Sequence, residues 1–261
     1  MTSTPQGWTA IVLAGQRPGV DALAAHFGQQ TKALIAVGGE PMVTRVVRTL
    51  NATPAIGKIV ILTQQPDLLM GAVAEGGGAD FSVSSAGIST SIATIAGTGT
   101  APWPILVTTA DHPLLTPDFI SEFLGKAAAG DLAVGMVERA TMLAAYPDNR
   151  RTWLKFGDGW WSGANLFALN SERVRAALEL WAAAEQDRKK AWKLFLHFGP
   201  WLALRAITRT IGLGAALKQA GQRLGLDARL VALEQAEAAI DVDKPSDHAL
   251  AETILARRGS A

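Results

Sequence analysis

The sequence predicts an α/β protein with a doubly wound, mostly parallel sheet, and three observations carry that prediction. Short apolar runs alternate with amphipathic helical segments from residue 8 to residue 138, the rhythm of consecutive βαβ units. The run Ile105-Leu106-Val107-Thr108-Thr109-Ala110 leads into Asp111, and a carboxylate at the tip of a buried parallel strand lies where open α/β sheets place ligands. The chain has 261 residues, 49% hydrophobic and 18% charged. That is long enough to bury a full core and too apolar to stay unfolded.

The elements follow in order. Residues 8–14 read as a buried strand stopped by Gly15. Residues 40–51 carry Met42, Val43, Val46, Val47 and Leu50 at helical spacing, entered through Pro41. Residues 56–63 form a second strand, 67–75 a short helix and 79–84 a third strand. A helix over 89–96 has Ser and Thr residues available as caps. Residues 104–109 are the fourth strand. Thr116 and Pro117 then open a helix to about residue 129, as N-cap and first helical residue. Residues 132–138 are a fifth strand. Beyond Arg139 the rhythm changes. Residues 151–156 and 160–169 read as strands around Gly157-Asp158-Gly159, and 171–184 as a helix. Residues 185–227 form a basic helical insertion broken at Gly199-Pro200 and at Gly212. Residues 228–233 and 238–242 return to strand character, and 246–257 form a closing helix capped by Ser246. The expected organisation is one domain spanning 1–261 with that insertion inside it.

Composition excludes several chemistries. The chain has no cysteine, which removes disulfides, thiolate metal sites and cysteine nucleophiles. No run approaches the roughly 18 apolar residues of a membrane span. Residues 1–7 show no basic-then-apolar leader pattern, so the default expectation is cytoplasmic. The formal net charge of +1 names no partner, but its distribution does. Eight Lys/Arg and no Asp/Glu fall between Arg188 and Arg223, leaving 16 basic and 23 acidic residues elsewhere. Basic and aromatic residues interleave there, with Trp192, Phe195, Phe198 and Trp201 beside Lys189, Lys190, Lys193 and Arg205. The segment reads in two ways. It is a helical subdomain packed on the sheet, or it is a surface for peripheral contact with anionic lipid headgroups at the inner membrane face. Nothing in it favours nucleic acid.

The candidate site assembles from four segments. Leu13-Ala14-Gly15-Gln16-Arg17-Pro18-Gly19 follows the first strand. Its glycines let backbone N–H groups approach phosphate, and Arg17 adds a bidentate cation. It is neither a Gly-x-Gly-x-x-Gly nor a Walker loop. Lys32, in Lys32-Ala33-Leu34, can neutralise charge developing on an α-phosphate. Asp111 and Asp243, brought together, can hold a hard divalent cation, Mg2+ or Mn2+, over phosphate oxygens. The four histidines show no metal-ligand spacing, and His112 reads as a packing residue beside the site.

Taken with Gly38-Gly39-Glu40-Pro41-Met42, Thr109-Ala110-Asp111-His112-Pro113-Leu114 and Asp243-Lys244-Pro245-Ser246-Asp247, these segments resemble the MobA-like nucleotidyltransferase family. That family includes the sugar-phosphate and methylerythritol-phosphate cytidylyltransferases, and its sheet is the Rossmann-like type shared with GT-A glycosyltransferases. The resemblance covers roughly residues 8–170 and 228–256. It implies that Leu13, Ala14, Gly15, Ser89 and Ser91 contact the nucleotide, although the two serines also suit plain helix capping. It implies that Asp111 and Asp243 are the metal ligands, with Asp243 preferred to Asp241 because it directly precedes x-Pro. It implies an acceptor half carrying Arg151, Lys155 and Asn165, where cations suit an anionic phosphorylated acceptor; the same residues also suit a solvated hairpin. The expected reaction is metal-dependent transfer of NMP from an NTP to that acceptor with release of pyrophosphate. Arg17, Lys32 and Asp111 are its catalytic groups. The form Ser91-Ile92-Ala93-Thr94-Ile95 favours CTP. The alternatives are a molybdopterin-type guanylyl- or cytidylyltransferase, a nucleotide-sugar-binding protein of GT-A type, and a non-catalytic nucleotide-binding protein.

Overall fold

A computed structural model describes residues 7–16, 19–84, 87–186 and 198–259. Arg17 and residues 187–197 lie outside the described residues. The strands are β1 (Trp8–Leu13), β2 (Ala36–Val37), β3 (Glu40–Pro41), β4 (Ile56–Thr63), β5 (Asp80–Val83), β6 (Ile105–Thr109), β7 (Leu132–Glu138), β8 (Leu154–Phe156), β9 (Gly159–Leu169) and β10 (Ala228–Leu233). Eight of them form one sheet in the order β10-β7-β9-β6-β1-β4-β5, with β8 paired to β9; β2 and β3 form a separate two-stranded ribbon. β1 is parallel to both β4 and β6, β4 to β5, and β7 to β10. Only β9 runs against its neighbours β6, β7 and β8 within the sheet. The sheet is therefore mostly parallel, as the βα alternation requires.

Side-chain alternation along each strand fixes what covers each face. Ala10 and Val12 of β1, Ile59 and Ile61 of β4 and Leu106 of β6 face one core. Helices α2 (Met42–Asn51), α3 (Pro66–Glu75) and α5 (Pro117–Ala127) cover it. Ile11, Val60, Leu62, Ile105 and Val107 face the opposite core, under α4 (Ile88–Ile95) and α7 (Arg175–Gln186). Layers on both faces are the doubly wound arrangement. A third cluster, Met136, Trp161 and Leu213, seats the basic segment against the β10 end of the sheet. The described part of that segment is two helices, α8 (Pro200–Ile207) and α9 (Leu213–Arg223), which start at the expected breaks. α7 runs to Gln186, two residues into the stretch assigned to the insertion.

Local signals behave as expected at α5. Thr116 Oγ1 accepts from the Phe119 N–H at 3.3 Å, and Pro117 opens the helix. Elsewhere tertiary contacts decide. α4 has Gly87 at its N-cap rather than a Ser or Thr. A short helix, α6 (Arg139–Ala145), follows β7 with no expectation behind it. Residues 238–242 are not a strand: Ala236–Ala239 make a buried 3₁₀ turn, and the chain beyond is extended without a ladder partner. The closing helix α10 (Pro245–Gly259) starts one residue before Ser246, which is inside it.

Phe123 of α5 is fully buried and lies over Gly135 of β7, where an added Cβ would meet Phe123 Cε2 at 3.3 Å and Leu166 Cβ at 3.1 Å. Phe123→Ala should therefore lower the unfolding free energy by roughly 3–5 kcal/mol. Chemical denaturation monitored by circular dichroism measures it, and a loss below about 1 kcal/mol would show that α5 is not packed this way.

Candidate active site

Sheet geometry opens a crevice at the tip of β6. β6 pairs with β9 only through Ile105, Leu106 and Val107, so the two strands part before Thr109. Strand order also reverses here, with β4 and β5 on one side of β1 and β6 on the other, and open sheets bind ligands at such a point. The turn after β6 then carries Asp111. The Ala110 N–H donates to Leu13 O at 3.0 Å, tying that turn to the end of β1.

Two distant segments converge on Asp111. Val242 donates its N–H to Asp111 O at 3.0 Å, which brings the tripeptide Asp241-Val242-Asp243 to the strand tip. Asp247, in the first turn of α10, accepts from the N–H groups of Asp243 and Lys244, both at 3.2 Å. That orients the Asp243 backbone. Lys32 comes from a 3₁₀ turn, Lys32–Leu34, after α1 (Ala22–His26). Its ammonium lies 2.6 Å from Asp111 Oδ2 and also pairs with Asp243 Oδ1. Burial opposes the charge on Lys32, but the two carboxylates outweigh it and hold its pKa above the ordinary lysine value. Three of the sequence-predicted groups are thus one cluster. Asp111 Oδ1 is buried and has no hydrogen-bond partner. Together with the outward Asp243 carboxylate, 67% exposed, it gives an all-oxygen donor set that fits a hard divalent cation. Among the described residues, no group of three or more His, Asp or Glu is positioned to hold a metal ion.

Asp241 faces a different way. It pairs with Arg151 Nη2 and accepts from Asn165 Nδ2 at 3.0 Å. Burial alone would raise its pKa, but the Arg151 guanidinium overrides this and holds the carboxyl below the ordinary range. Arg151 Nε also donates to Ser162 Oγ at 3.2 Å. Asn165 has φ +50° inside a bulge of β9, where the pairing with β7 shifts between Val134 and Met136. A bulge re-aims a side chain, and here it turns the Asn165 amide onto Asp241. Two expected acceptor residues, Arg151 and Asn165, are therefore joined, through a carboxylate the sequence offered as a rival metal ligand. Lys155 is separate: its Nζ sits 4.2 Å over the Trp160 ring on the β8–β9 hairpin. His112 is completely buried. Burial holds its pKa below the ordinary histidine value, against the pull of Asp241 and Asp111, so it is a neutral packing group.

The nucleotide-side residues divide. Leu13 and Ala14 are fixed by their backbone bonds to Ala110 and Leu62, and Gly15 is exposed beyond them. Gln64 Oε1 accepts from the Gln16 N–H at 3.1 Å, and a Cβ on Gly15 would meet that oxygen at 2.8 Å. A side chain from the β4 end thus lies close over Gly15, although the end of a glutamine can shift to admit a Cβ. Ser89 and Ser91 point inward. Ser89 is fully buried and donates Oγ–H to Glu185 Oε2 at 2.8 Å, and its N–H goes to the same oxygen at 3.3 Å. Ser91 Oγ is 2.9 Å from Ser84 Oγ. Both hydroxyls are engaged inside the protein in this structure. Gln64 and Glu185 were missed. The polar pair Gln64-Gln65 after an apolar strand is a faint signal for the first, and a partner 96 positions away gives none for the second.

A cleft of about 440 Å3 opens beside the cluster. Tyr146, Arg150, Lys244, Arg257, Leu250 and Ile254 line it, together with the carboxylates Asp148 and Asp247. Glu237 accepts from the Tyr146 hydroxyl at 2.5 Å and fixes that wall.

Residues 10–199, more than two thirds of the chain, match the MobA-like NTP transferase domain. A comparison with curated proteins returned no match. Among solved structures, a hypothetical transferase from Thermus thermophilus is 28% identical with a TM-score of 0.77, covering 93% of this chain and 99% of that one. The 4-diphosphocytidyl-2C-methyl-D-erythritol synthase of Anaerococcus prevotii is similar at 13% identity and TM-score 0.59, covering 97% and 99%. A CMP:2-keto-3-deoxy-manno-octonic acid synthetase complexed with CTP is similar at 14% and 0.56, covering 97% and 100%. The last two likenesses concern the fold.

The Arg151–Asp241 pair makes a stability prediction. Both side chains keep only 16–17% of their surface exposed, so Asp241→Asn strands a guanidinium with little water and should cost roughly 2–3 kcal/mol at pH 7. The folded pKa of Asp241 lies below its unfolded value near 3.9. Its contribution is therefore complete above about pH 5 and disappears as the pH falls further. Urea unfolding of both proteins from pH 7 to pH 3 should show their difference narrowing on the acid side. A difference independent of pH would mean the carboxylate charge is not what holds Arg151.

Proposed function

The chain belongs to the MobA-like NTP transferase family, and from that premise we propose that it transfers a nucleotidyl group from an NTP to a small phosphorylated acceptor, releasing pyrophosphate. One observation carries the reading. A lysine ammonium stands between two carboxylates at the C-terminal edge of a mostly parallel sheet. A cation-and-carboxylate centre of this kind suits in-line attack on a phosphorus bearing negative oxygens.

Each group has a task derivable from its surroundings. Asp111 and Asp243 would hold the divalent cation, Mg2+ or Mn2+, and its remaining ligands would be phosphate oxygens and water. When bound, the cation neutralises phosphate charge and orients the leaving group. Lys32 is free to turn from the carboxylates to the α-phosphate, because its charge persists well above neutral pH and lysine carries its charge on a flexible stem. The backbone at Leu13-Ala14 is tied to the sheet and Gly15 beyond it is exposed, which suits close approach of nucleotide at Gly15; Arg17 adds a cation to this loop in the reading offered by the sequence. An acceptor phosphate is already ionised and needs no general base, so positioning dominates its reactivity. The cleft beside Asp243 supports an acceptor seat for an anion, because its lining cations Arg150, Lys244 and Arg257 outnumber its carboxylates Asp148 and Asp247. Arg151 and Asn165 would serve that seat by shaping its wall, since Asp241 neutralises Arg151. CTP leads the nucleotide panel to be tried, because one solved structure of this fold is complexed with CTP.

Pyrophosphate release from each of the four NTPs with Mg2+ and a panel of sugar and polyol phosphates tests the reaction. A pair that turns over should lose about 10²–10³-fold in rate in Asp111→Asn, with the fold intact by circular dichroism. Activity of that variant within tenfold of the parent would remove Asp111 from the centre. Lys32→Ala should lower kcat by a similar factor while leaving KM for the NTP within about threefold, because the interaction strengthens as the phosphorus becomes crowded. A change confined to KM would make Lys32 a ground-state binding group.

A further inference from the structure

α8 presents an outward apolar face that the nucleotidyl-transfer centre does not use. Among the described residues, the exposed large hydrophobic side chains include Trp201 at 67%, Leu204 at 49% and Ile207 at 79%. They are spaced i, i+3 and i+6 in an eight-residue helix. At 100° per residue they span an arc of ~120°. Leu202 and Ala203, on the other side of the helix, are buried at 8% and 6%. The helix is therefore packed by one side, and its largest apolar groups are on the other. Water contact with a Trp, a Leu and an Ile in a single stripe is unfavourable, and contiguous exposed apolar surface marks an interaction site.

Charge around the stripe selects the partner. From Phe198 to Arg223 the chain carries Arg205, Arg209, Lys218 and Arg223 and no acidic residue. Arg205 sits about 40° from Trp201 around the helix, on the edge of the stripe. Its guanidinium donates to Thr210 O at 3.2 Å, and Thr208 Oγ1 satisfies its own helix by donating to Leu204 O at 2.8 Å. The nearest carboxylate on the sheet side, Asp158, is turned inward, accepting from Trp161 Nε1 at 3.2 Å and from the Leu213 N–H at 3.0 Å. Arg205, beside the stripe, is thus not answered by an acid of the same segment. An apolar stripe headed by Trp and edged by Arg matches the interfacial zone of a bilayer, where apolar side chains enter the acyl boundary and cations meet anionic headgroups. No helix among the described residues is long and apolar enough to cross a membrane, so the contact is one of lying on the surface.

We propose that α8 is a docking helix for an anionic lipid surface, with Trp201, Leu204 and Ile207 entering the headgroup boundary. The reaction centre and α8 are separate features, and this proposal does not depend on the activity proposed above.

Vesicle co-sedimentation tests it, using the full chain with vesicles of phosphatidylcholine alone and of phosphatidylcholine with 40% phosphatidylglycerol. The full chain should pellet with the anionic vesicles at 50 mM NaCl and be released by at least ~10-fold at 500 mM NaCl, as screening predicts. It should stay in solution with the neutral vesicles. The double variant Trp201→Ser, Ile207→Ser should lose binding by at least ~10-fold while its melting temperature matches the parent, since both side chains face water. Arg205→Glu should weaken binding without altering the fold. Failure of the parent to bind 40% anionic vesicles at 50 mM NaCl overturns the proposal. So does retained binding in the double variant. A parent that elutes as a dimer, with the double variant monomeric, also overturns it, because the stripe would then be covered by a second copy.

Discussion

Lys32 joins two carboxylates that the chain separates widely, with partners 79 and 211 positions away. The rest of the site depends on that interaction. Asp111 and Asp243 each approach the same ammonium, so without a cation between them they would repel in a partly desolvated crevice. The ammonium makes their convergence favourable, and the backbone bond from Val242 to Asp111 O supplies the direction. The tripeptide and the α10 helix that follows it are thereby returned to the tip of β6. α10 then continues over β2, where His248 Nε2 lies 2.8 Å from Ala36 O. A site made from three remote segments is held at its centre by one positive charge, which a substrate-bound cation is chemically able to replace.

The tripeptide Asp241-Val242-Asp243 shows how environment divides two like residues. Val242 is fully buried and pins the segment. Asp241, 17% exposed, is answered by Arg151 and Asn165, and its lowered pKa keeps it ionised at neutral pH in a structural pair. Asp243 is 67% exposed and has one flexible partner. A carboxylate with its charge already spent on a rigid guanidinium is poorly placed to bind a second cation, whereas one held by a lysine can exchange. The preference for Asp243 rested on its place before x-Pro. The pairing of Asp241 gives that preference a physical cause.

Much of the fold was legible because its signals are local. The apolar runs of β1, β4, β6 and β7 fall within a residue of their expected bounds, since buried parallel strands read as continuous apolar stretches. α5 was legible through Thr116 and Pro117. Lys32, Asp111 and Asp243 were legible through their neighbours in sequence. The losses are tertiary. Residues 238–242 have strand composition but no free sheet edge beside them, and the tight turn at Ala236–Ala239 takes their place. Ser89 and Ser91 carry hydroxyls at a helix start, and nothing in their neighbourhood announces their internal partners Glu185 and Ser84. Lys155 looks like an anion ligand in sequence, but Trp160 on the facing strand draws its ammonium onto a ring.

Glu185 also bears on where phosphate can go. Helix N-termini at the C-terminal edge of a parallel sheet are ready anion sites, because their first N–H groups are unpaired and the helix dipole favours negative charge. α4 starts at that edge. Its N-terminus already holds an anion, since Glu185 Oε2 takes both donors of Ser89 and leaves no room for a Cβ at Gly87, 2.6 Å away. A triphosphate arriving there would meet a carboxylate rather than bare N–H groups. The loop after β1 presents the opposite case: Gly15 is exposed, the loop is tied to the Asp111 turn through Leu13 O, and Lys32 supplies a charge at Asp111. The internal carboxylate on α7 thus occupies part of that N-terminus, which is consistent with the proposed placement of phosphate on the β1 side of the crevice.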